Sequence, residues 1–295
     1  MSGHVRLSFK TSPQRVDWTT VRDTWALGGE LDVFEGVWMN DHLTDMDDDA
    51  GPSLESLTLA ATLAYLVPGK WVGHAVLSNT FRHPAVVAKA ATVLDHATGG
   101  RYILGLGAGW HEGEHAAFGI PLPPIGERVA RLESAVAVVK ALFSSAADGP
   151  PGVTRPDPYY PLERAKNRPA PLTPGGPPLY LGGQRRRGIA LAVREAAGWL
   201  QPGTDAGDVA YFADRRAALL QAMAAADRDA AGFAFVGQVH VRDTAADRRE
   251  ALELARGLAA AGATEVILGI PAAGGPDALW RLARDVAEPL RAELG

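Results

Sequence analysis

Asn79-Thr-Phe-Arg-His-Pro84 and Gly105-Leu-Gly-Ala-Gly-Trp110 each put irregular backbone just after a short strand-patterned run, and a helix-patterned run lies between them. Strand, loop and helix in repeated succession make a parallel sheet, and a closed parallel barrel gathers its ligands at the ends of its strands. The segment 71–119 is therefore where a site is expected. Outward from it, short apolar or alternating runs recur at residues 5–9, 36–39, 71–77, 102–106, 179–181, 198–201, 233–241 and 266–270, each followed by a helical pattern. Eight such runs in 295 residues predict an α/β fold, a closed (β/α)8 TIM barrel rather than an open doubly wound sheet.

The helices are legible on their own terms. Residues 84–96 carry Val86, Val87, Ala90, Ala91, Val93 and Leu94 on a broad apolar face, open on Pro84 and stop at Gly99-Gly100. Residues 127–143 and 245–261 show the same period. The Pro/Gly-rich stretch 144–178 does not, so a lid, small hairpin or binding loop is expected there. Following strand four, it should lie over the barrel mouth. The chain reads as a single barrel domain, 1–295, with a lid or insertion at about 110–178.

Composition narrows the chemistry. The chain has no cysteine, which removes disulfides, thiolate nucleophiles and cysteine metal sites. With 34 acidic against 29 basic residues the net charge is −5, so neither nucleic acid nor an anionic membrane is an expected partner. The start, Met1-Ser-Gly-His-Val-Arg, has no apolar signal-peptide core, and a cytoplasmic location is expected. The acidic run 45–49 lacks calcium-loop spacing and reads as a solvated loop.

Asn40-Asp41-His42 follows the second strand, where a histidine can serve as acid or base. Taken alone, a capped turn with a surface histidine is the simpler reading. Of the other histidines, His74 falls within a strand, His83 precedes a proline and His96 sits near a helix end. His111 and His115 have i,i+4 spacing, but Gly113 weakens a helix there and no third ligand is evident, so no metal is expected. Gly105, Gly107 and Gly109 have the spacing G-x-G-x-G and fail the dinucleotide fingerprint. They allow a flat ring to approach the backbone, with Trp110 as a wall; crowding at the strand exit is the competing explanation. Leu181-Gly-Gly-Gln-Arg-Arg-Arg187 precedes a helix expected at about 188–197. Three arginines there oppose the helix dipole unless an anion is bound, and a Gly-Gly turn into a helix start is a phosphate cradle.

The chain resembles the luciferase-like superfamily, and within it the coenzyme F420-dependent oxidoreductases of actinobacterial type. The resemblance runs through Thr11-Ser-Pro-Gln14, Trp38-Met-Asn-Asp-His42, Asn79-Thr-Phe-Arg-His-Pro84, Leu94-Asp95, Gly99-Gly-Arg101, Leu104-Gly-Leu-Gly-Ala-Gly-Trp-His111, Phe118-Gly119, Tyr180-Leu-Gly-Gly183 and Gly198-Trp199. It implies a barrel with an insertion that holds a deazaflavin or flavin at its C-terminal mouth. Asp41 would hold the ring side and His42 would face the substrate as proton donor. A bulge with a non-proline cis peptide would prop the ring at Ala75-Val76, with Ser78 also touching the cofactor. Ala108 and Gly109 would lie along the ring or ribityl chain, with Glu114 nearby, and Gly182, Gly183, Arg185 and Arg186 would take the phosphate. Relatives are commonly homodimers. In the sugar-phosphate dehydrogenases of the superfamily a glutamate stands where this chain has Trp110, so that activity is not expected. An acidic residue common in relatives is replaced by Ala197.

The implied reaction is hydride transfer between C5 of the deazaflavin and a small organic substrate, in the direction of reduction. The residues around Tyr159-Tyr160 and the loop after Trp110 would set specificity for an apolar or aromatic substrate. Two alternatives stand beside it: an FMN-dependent luciferase-like monooxygenase, and a noncatalytic deazaflavin- or flavin-binding protein.

Overall fold

A computed structural model describes residues 4–45 and 51–294 of the chain. Its strands are β1 (Arg6–Thr11), β2 (Gly36–Met39), β3 (Trp71–His74), β4 (Leu77–Ser78), β5 (Tyr102–Gly107), β6 (Val153–Arg155), β7 (Leu162–Ala165), β8 (Leu179–Leu181), β9 (Gly198–Leu200), β10 (Ala234–His240) and β11 (Glu265–Gly269). Its helices are α1 (Trp18–Glu30), α2 (Ser56–Leu63), α3 (Pro84–Ala97), α4 (Glu112–Ala117), α5 (Ile125–Phe143), α6 (Arg186–Glu195), α7 (Val209–Ala225), α8 (Ala245–Ala260), α9 (Gly275–Leu282) and α10 (Glu288–Leu294). The order β3-β2-β1-β11-β10-β9-β8-β5, parallel throughout, returns to its start because β3 also pairs with β5. This is the closed eight-stranded barrel expected from the eight runs. The third run, 71–77, is interrupted: the chain leaves the ring at Ala75 and Val76 and resumes as β4, which pairs Leu77 with Leu106 and Ser78 with Gly107. The Ala75–Val76 peptide is cis, at the position the resemblance implied.

Side chains alternate across each strand, so one set fills the barrel and the other meets the helices. Trp38, Ile103, Tyr180, Leu200, Val236 and Ile267 form the buried interior plug. At its N-terminal end Glu265 accepts from Ser8 Oγ and Trp38 Nε1, each at 2.6 Å, and from Arg6 Nη1 at 3.0 Å. Burial raises that carboxyl above its ordinary range despite these donors. The outer layer buries Leu7, Phe9, Trp25, Val37 and Leu94 against the helices, each worth about 1.5–3 kcal/mol. Helix starts follow from local chemistry: Asp17, His83, Asp208 and Thr244 accept first-turn amides of α1, α3, α7 and α8.

The insertion contains a small hairpin, one of its expected forms, and packs away from the cavity. Residues 144–178 include an antiparallel hairpin of β6 and β7, and none of them lines the cavity at the barrel mouth. The segment instead runs along α3, whose outer face offers polar partners to backbone with no ladder of its own. Asp95, wholly buried, accepts from Thr173 N at 2.7 Å and Oγ1 at 2.8 Å. Lys89 donates to Arg168 O at 3.0 Å, His96 to Ala170 O at 2.9 Å, and Asn167 Nδ2 to Thr92 Oγ1 at 2.9 Å. Tyr160 packs edge-on against His83, with ring centroids 5.2 Å apart, and is not among the residues lining the cavity. Of the acidic run, Asp45 is buried and paired with Arg15 rather than solvated; residues 46–49 lie outside the described residues.

Candidate active site

The C-terminal mouth opens into a cavity of about 1570 Å³. One half is built by the exits of β2, β3, β5 and β8, the other by those of β9, β10, β11 and β1. The first half contains nearly every residue singled out from the sequence: Asp41, His42, Ala75, Val76, Ser78, Ala108, Gly109, Glu114, Gly182, Gly183 and Arg185 all line it.

His42 is held at this wall by Glu114. Its Nδ1 donates to Glu114 Oε2 at 3.0 Å, since a carboxylate only accepts. The proton on Nδ1 leaves Nε2 as the ring's other functional atom, on a residue that lines the cavity. Glu114 is itself buried and also accepts from Leu43 N. Burial alone would raise its carboxyl, but the bonds from His42 and Leu43 N hold it below the ordinary range. A carboxylate that accepts from Nδ1 fixes the orientation and tautomer of the imidazole. Trp110 stands edge-on to the same ring, at 6.0 Å between centroids and 87° between planes.

Asp41 is more constrained than expected. Arg82 grips it with Nη1 at 2.7 Å and Nη2 at 2.8 Å, and Ser78 N donates to it at 2.8 Å. The carboxylate thereby ties the end of β2 to the far side of the interruption in β3, and the Ser78 amide is already committed. Ser78 Oγ lies 2.7 Å from Thr80 Oγ1.

The glycines at the exit of β5 are each required by crowding from the interrupted third strand and the loop that follows it. A Cβ on Gly105 would fall 1.8 Å from His74 O, one on Gly107 2.5 Å from Val76 Cγ2, and one on Gly109 2.4 Å from Thr80 Oγ1. Gly109 has φ +78, and Arg128 Nη1 donates to its carbonyl at 2.6 Å. Crowding thus accounts for all three. Val76 in turn nests between Gly107 and Gly182, where an added Cβ would lie 3.7 Å from Val76 Cγ1.

The arginine cluster divides. α6 begins at Arg186, two residues before the expected start. Arg185 is its N-cap, accepting from Ile189 N at 2.9 Å through its carbonyl, and lines the cavity; its side chain has no ion-pair or hydrogen-bond partner among the described residues. Arg187 lines the cavity but is clamped by Glu133 through Nε at 2.8 Å and Nη2 at 2.7 Å. Arg186, between them, is exposed and is not among the residues lining the cavity. Gly183 and Gly188 pack against each other so closely that a Cβ on either would lie within 2.9 Å of the other's backbone. Trp199 Nε1 pins the Gly183 carbonyl at 2.8 Å.

The other histidines are occupied structurally. His111 caps α4 by accepting from Glu114 N at 3.0 Å, and His115 bonds His111 O and Thr80 Oγ1, both at 2.7 Å. Among the described residues no group of three His, Cys, Asp or Glu side chains is placed to hold a metal. His74 is buried, contacts Tyr102 OH at 3.0 Å, and is pushed down to about 4 by burial.

Residues 19–284 match the luciferase-like monooxygenase family. The chain belongs to that family. Within curated proteins it is 28% identical over 199 residues to an F420-dependent glucose-6-phosphate dehydrogenase of Microbacterium testaceum, covering 66% of this chain and 56% of the relative. It is 32% identical over 147 residues to a phthiodiolone/phenolphthiodiolone dimycocerosates ketoreductase of Mycobacterium tuberculosis, covering 50% of this chain and 37% of the relative. The chain thus spans about half or less of the length of these relatives. Among solved structures, an F420-dependent secondary alcohol dehydrogenase in complex with an F420-acetone adduct superposes with a TM-score of 0.80 at 16% identity, over 96% of this chain and 99% of that one. At that identity the likeness is one of fold.

Sequence reasoning missed two parts of this luciferase-like site. Arg82 sat inside the quoted 79–84 motif, but its partner Asp41 is 41 residues away in sequence and meets it only in the fold. Lys10, Gln238 and His240 carried no local motif: they meet only when β1 and β10 take their places around the barrel. Lys10 Nζ donates to Gln238 Oε1 at 2.8 Å and to His240 Nε2 at 3.2 Å. Burial lowers Lys10 to about 8, while the Lys10 charge and burial lower His240 to about 4. Lys10 loses affinity for its proton on folding, so the burial penalty is present in full below about pH 8 and is relieved as pH rises toward 10.5. Lys10→Met is therefore expected to stabilise the protein near pH 7, by urea unfolding, with the gain shrinking between pH 8 and pH 10.5.

Proposed function

We propose that this barrel is a coenzyme F420-dependent oxidoreductase that transfers a hydride between C5 of the deazaflavin and a small organic substrate, in the direction of substrate reduction. The observation that carries the reading is the His42–Glu114 pair, set beside the Ala75–Val76 bulge on a wall with an open helix start on its far side. The F420-dependent dehydrogenase and the ketoreductase among the relatives supply the reaction class. Glucose-6-phosphate is not carried over as substrate, because Trp110 sets an indole beside His42 where the resemblance puts a glutamate in the sugar-phosphate enzymes.

The residues present fit the cofactor. Ala75, Val76, Ser78, Ala108 and Gly109 would hold the ring and its ribityl chain, with Asp41 fixing the bulge from behind. Gly182, Gly183, the first-turn amides of α6 and Arg185 would hold the phosphate, since a helix start offers unpaired N–H groups and Arg185 has no carboxylate of its own among the described residues. When bound, the reduced deazaflavin supplies a hydride. His42 would give a proton from Nε2 to the oxygen of a carbonyl undergoing reduction, and Glu114 would stabilise the imidazolium until that transfer. The buried interior plug keeps water from entering beneath the site.

Two measurements address this reading. Mixing reduced F420 and the protein with a panel of ketones, imines and activated alkenes should restore the oxidised deazaflavin spectrum with some members; binding without turnover on any would favour the noncatalytic alternative. Arg185→Ala is expected to weaken F420 binding about tenfold while leaving the unfolding midpoint unchanged, by equilibrium titration. We also propose a homodimer, supported by Val86 and Val93, which lie seven residues apart on one face of α3 and are 60% and 61% exposed. A cytoplasmic location belongs to the same reading; no helix among the described residues is long and apolar enough to cross a membrane.

A further inference from the structure

The half of the cavity built by β9, β10, β11 and β1 is not used by the residues assigned above, and it contains an unusual cation. Lys10 belongs to β1 on the same face as Ser8, one step nearer the mouth. It is 9% exposed, lines the cavity and has no carboxylate partner among the described residues. Its two contacts, Gln238 Oε1 and His240 Nε2, are neutral acceptors, leaving one of its three N–H bonds uncommitted. A buried cation without a counter-charge is destabilising, so its place on a cavity wall needs another reason. The surroundings hold the amine in one position. Gln238 is fixed by Gln201, through Gln201 Oε1 accepting from Gln238 N at 3.0 Å and Gln201 O accepting from the Gln238 side chain. Gly269 lies alongside both side chains: a Cβ there would be in ordinary contact with Lys10 Cε at 3.6 Å and in tight contact with His240 Cδ2 at 3.3 Å. Arg242 lines the same half, also without a carboxylate partner among the described residues. The carboxylates of this half are on α8: Asp247, which accepts from Thr244 Oγ1 at 2.6 Å in the helix cap, and exposed Glu250. Neither forms an ion pair with Lys10.

We propose that Lys10, aligned by Gln238 and His240, is a specificity-determining residue that takes a carboxylate on the organic substrate. The substrate class is thereby narrowed to small molecules that carry an anionic oxygen group besides the reducible one. Ala251, Leu254 and Ile270 line the same half and give the remaining substrate surface an apolar boundary. This inference rests on the preceding reading for the identity of the reacting partner, but the anion site itself exists with or without the cofactor.

The test compares benzoate with benzamide, two probes of one shape that differ in charge, by isothermal titration of the protein with and without F420. Benzoate is expected to bind at least about tenfold more tightly than benzamide. Lys10→Met should erase the difference, Lys10→Arg should retain part of it, and neither should alter the dissociation constant of F420. Equal binding of the two probes by the unaltered protein would overturn the proposal without recourse to any variant. So would a benzoate preference that survives Lys10→Met, or a Lys10→Met protein that loses F420 binding instead, which would assign the amine to the cofactor. If F420 does not bind at all, the functional reading fails, and the titration without cofactor still decides the role of Lys10.

Discussion

Arg82→Met is expected to lower the stability of the protein by about 3–5 kcal/mol and to abolish cofactor binding. The loss comes less from the attraction removed than from the charge left behind. Asp41 has a side chain with 0% exposure, and Arg82 supplies two of its three hydrogen bonds. Burial alone would depress the guanidinium, yet the carboxylates of Asp41 and Glu55 hold it well above its ordinary range, a sign of strong mutual stabilisation. Urea unfolding should show a lower midpoint with an unchanged slope. The Asp41→Asn, Arg82→Met double variant should recover part of the loss, because its buried group is neutral. If the single variant unfolds at the midpoint of the unaltered protein, Asp41 and Arg82 are not the tie between β2 and the bulge.

His42→Ala is expected to reduce kcat for the reductive half-reaction by about 10²–10⁴-fold while leaving F420 affinity little changed. The residue touches the cavity and Glu114 but no part of the phosphate wall, so its removal should be felt in proton delivery. Glu114 keeps the Leu43 amide in that variant, which limits the structural damage. Glu114→Gln, which retains an acceptor oxygen and loses the charge, should cost less than His42→Ala. Steady-state kinetics with any substrate found in the ketone, imine and alkene panel measures both. An unchanged kcat for His42→Ala would assign the proton to solvent and remove the pair from the mechanism.

The barrel was legible because its eight strands are short apolar runs separated by capped helices, and each signal is local. The break in the third strand at Ala75 and Val76 could be anticipated only through the family resemblance, since nothing in Trp71-Val-Gly-His-Ala-Val-Leu77 marks a cis peptide. The Asp41–His42 exit, the glycine exit of β5 and the Gly182-Gly183 turn were legible as contiguous motifs, and the structure brings them to one wall. What the glycines do was not, because the atoms they make room for, His74 O, Val76 Cγ2 and Thr80 Oγ1, come from another segment. Arg186 came with the resemblance rather than from local pattern, and the first turn of α6 leaves it exposed while Arg185 and Arg187 line the cavity. The insertion was misplaced because Pro and Gly content says that a segment is irregular, not which face it packs on; Thr92, Asp95 and His96 decided that. Lys10 and His240, 230 residues apart, are a product of barrel closure and left no trace in any window of sequence.

The central claim is that the wall from the Ala75–Val76 bulge to Arg185 holds a deazaflavin by its ring and phosphate. Parallel equilibrium titrations with F420 and with FMN, followed by the chromophore spectra, test it most directly. The account predicts saturable F420 binding that is weakened by Arg185→Ala and little changed by His42→Ala. Tight FMN binding with no detectable F420 binding would contradict it and return the protein to the flavin-dependent monooxygenases.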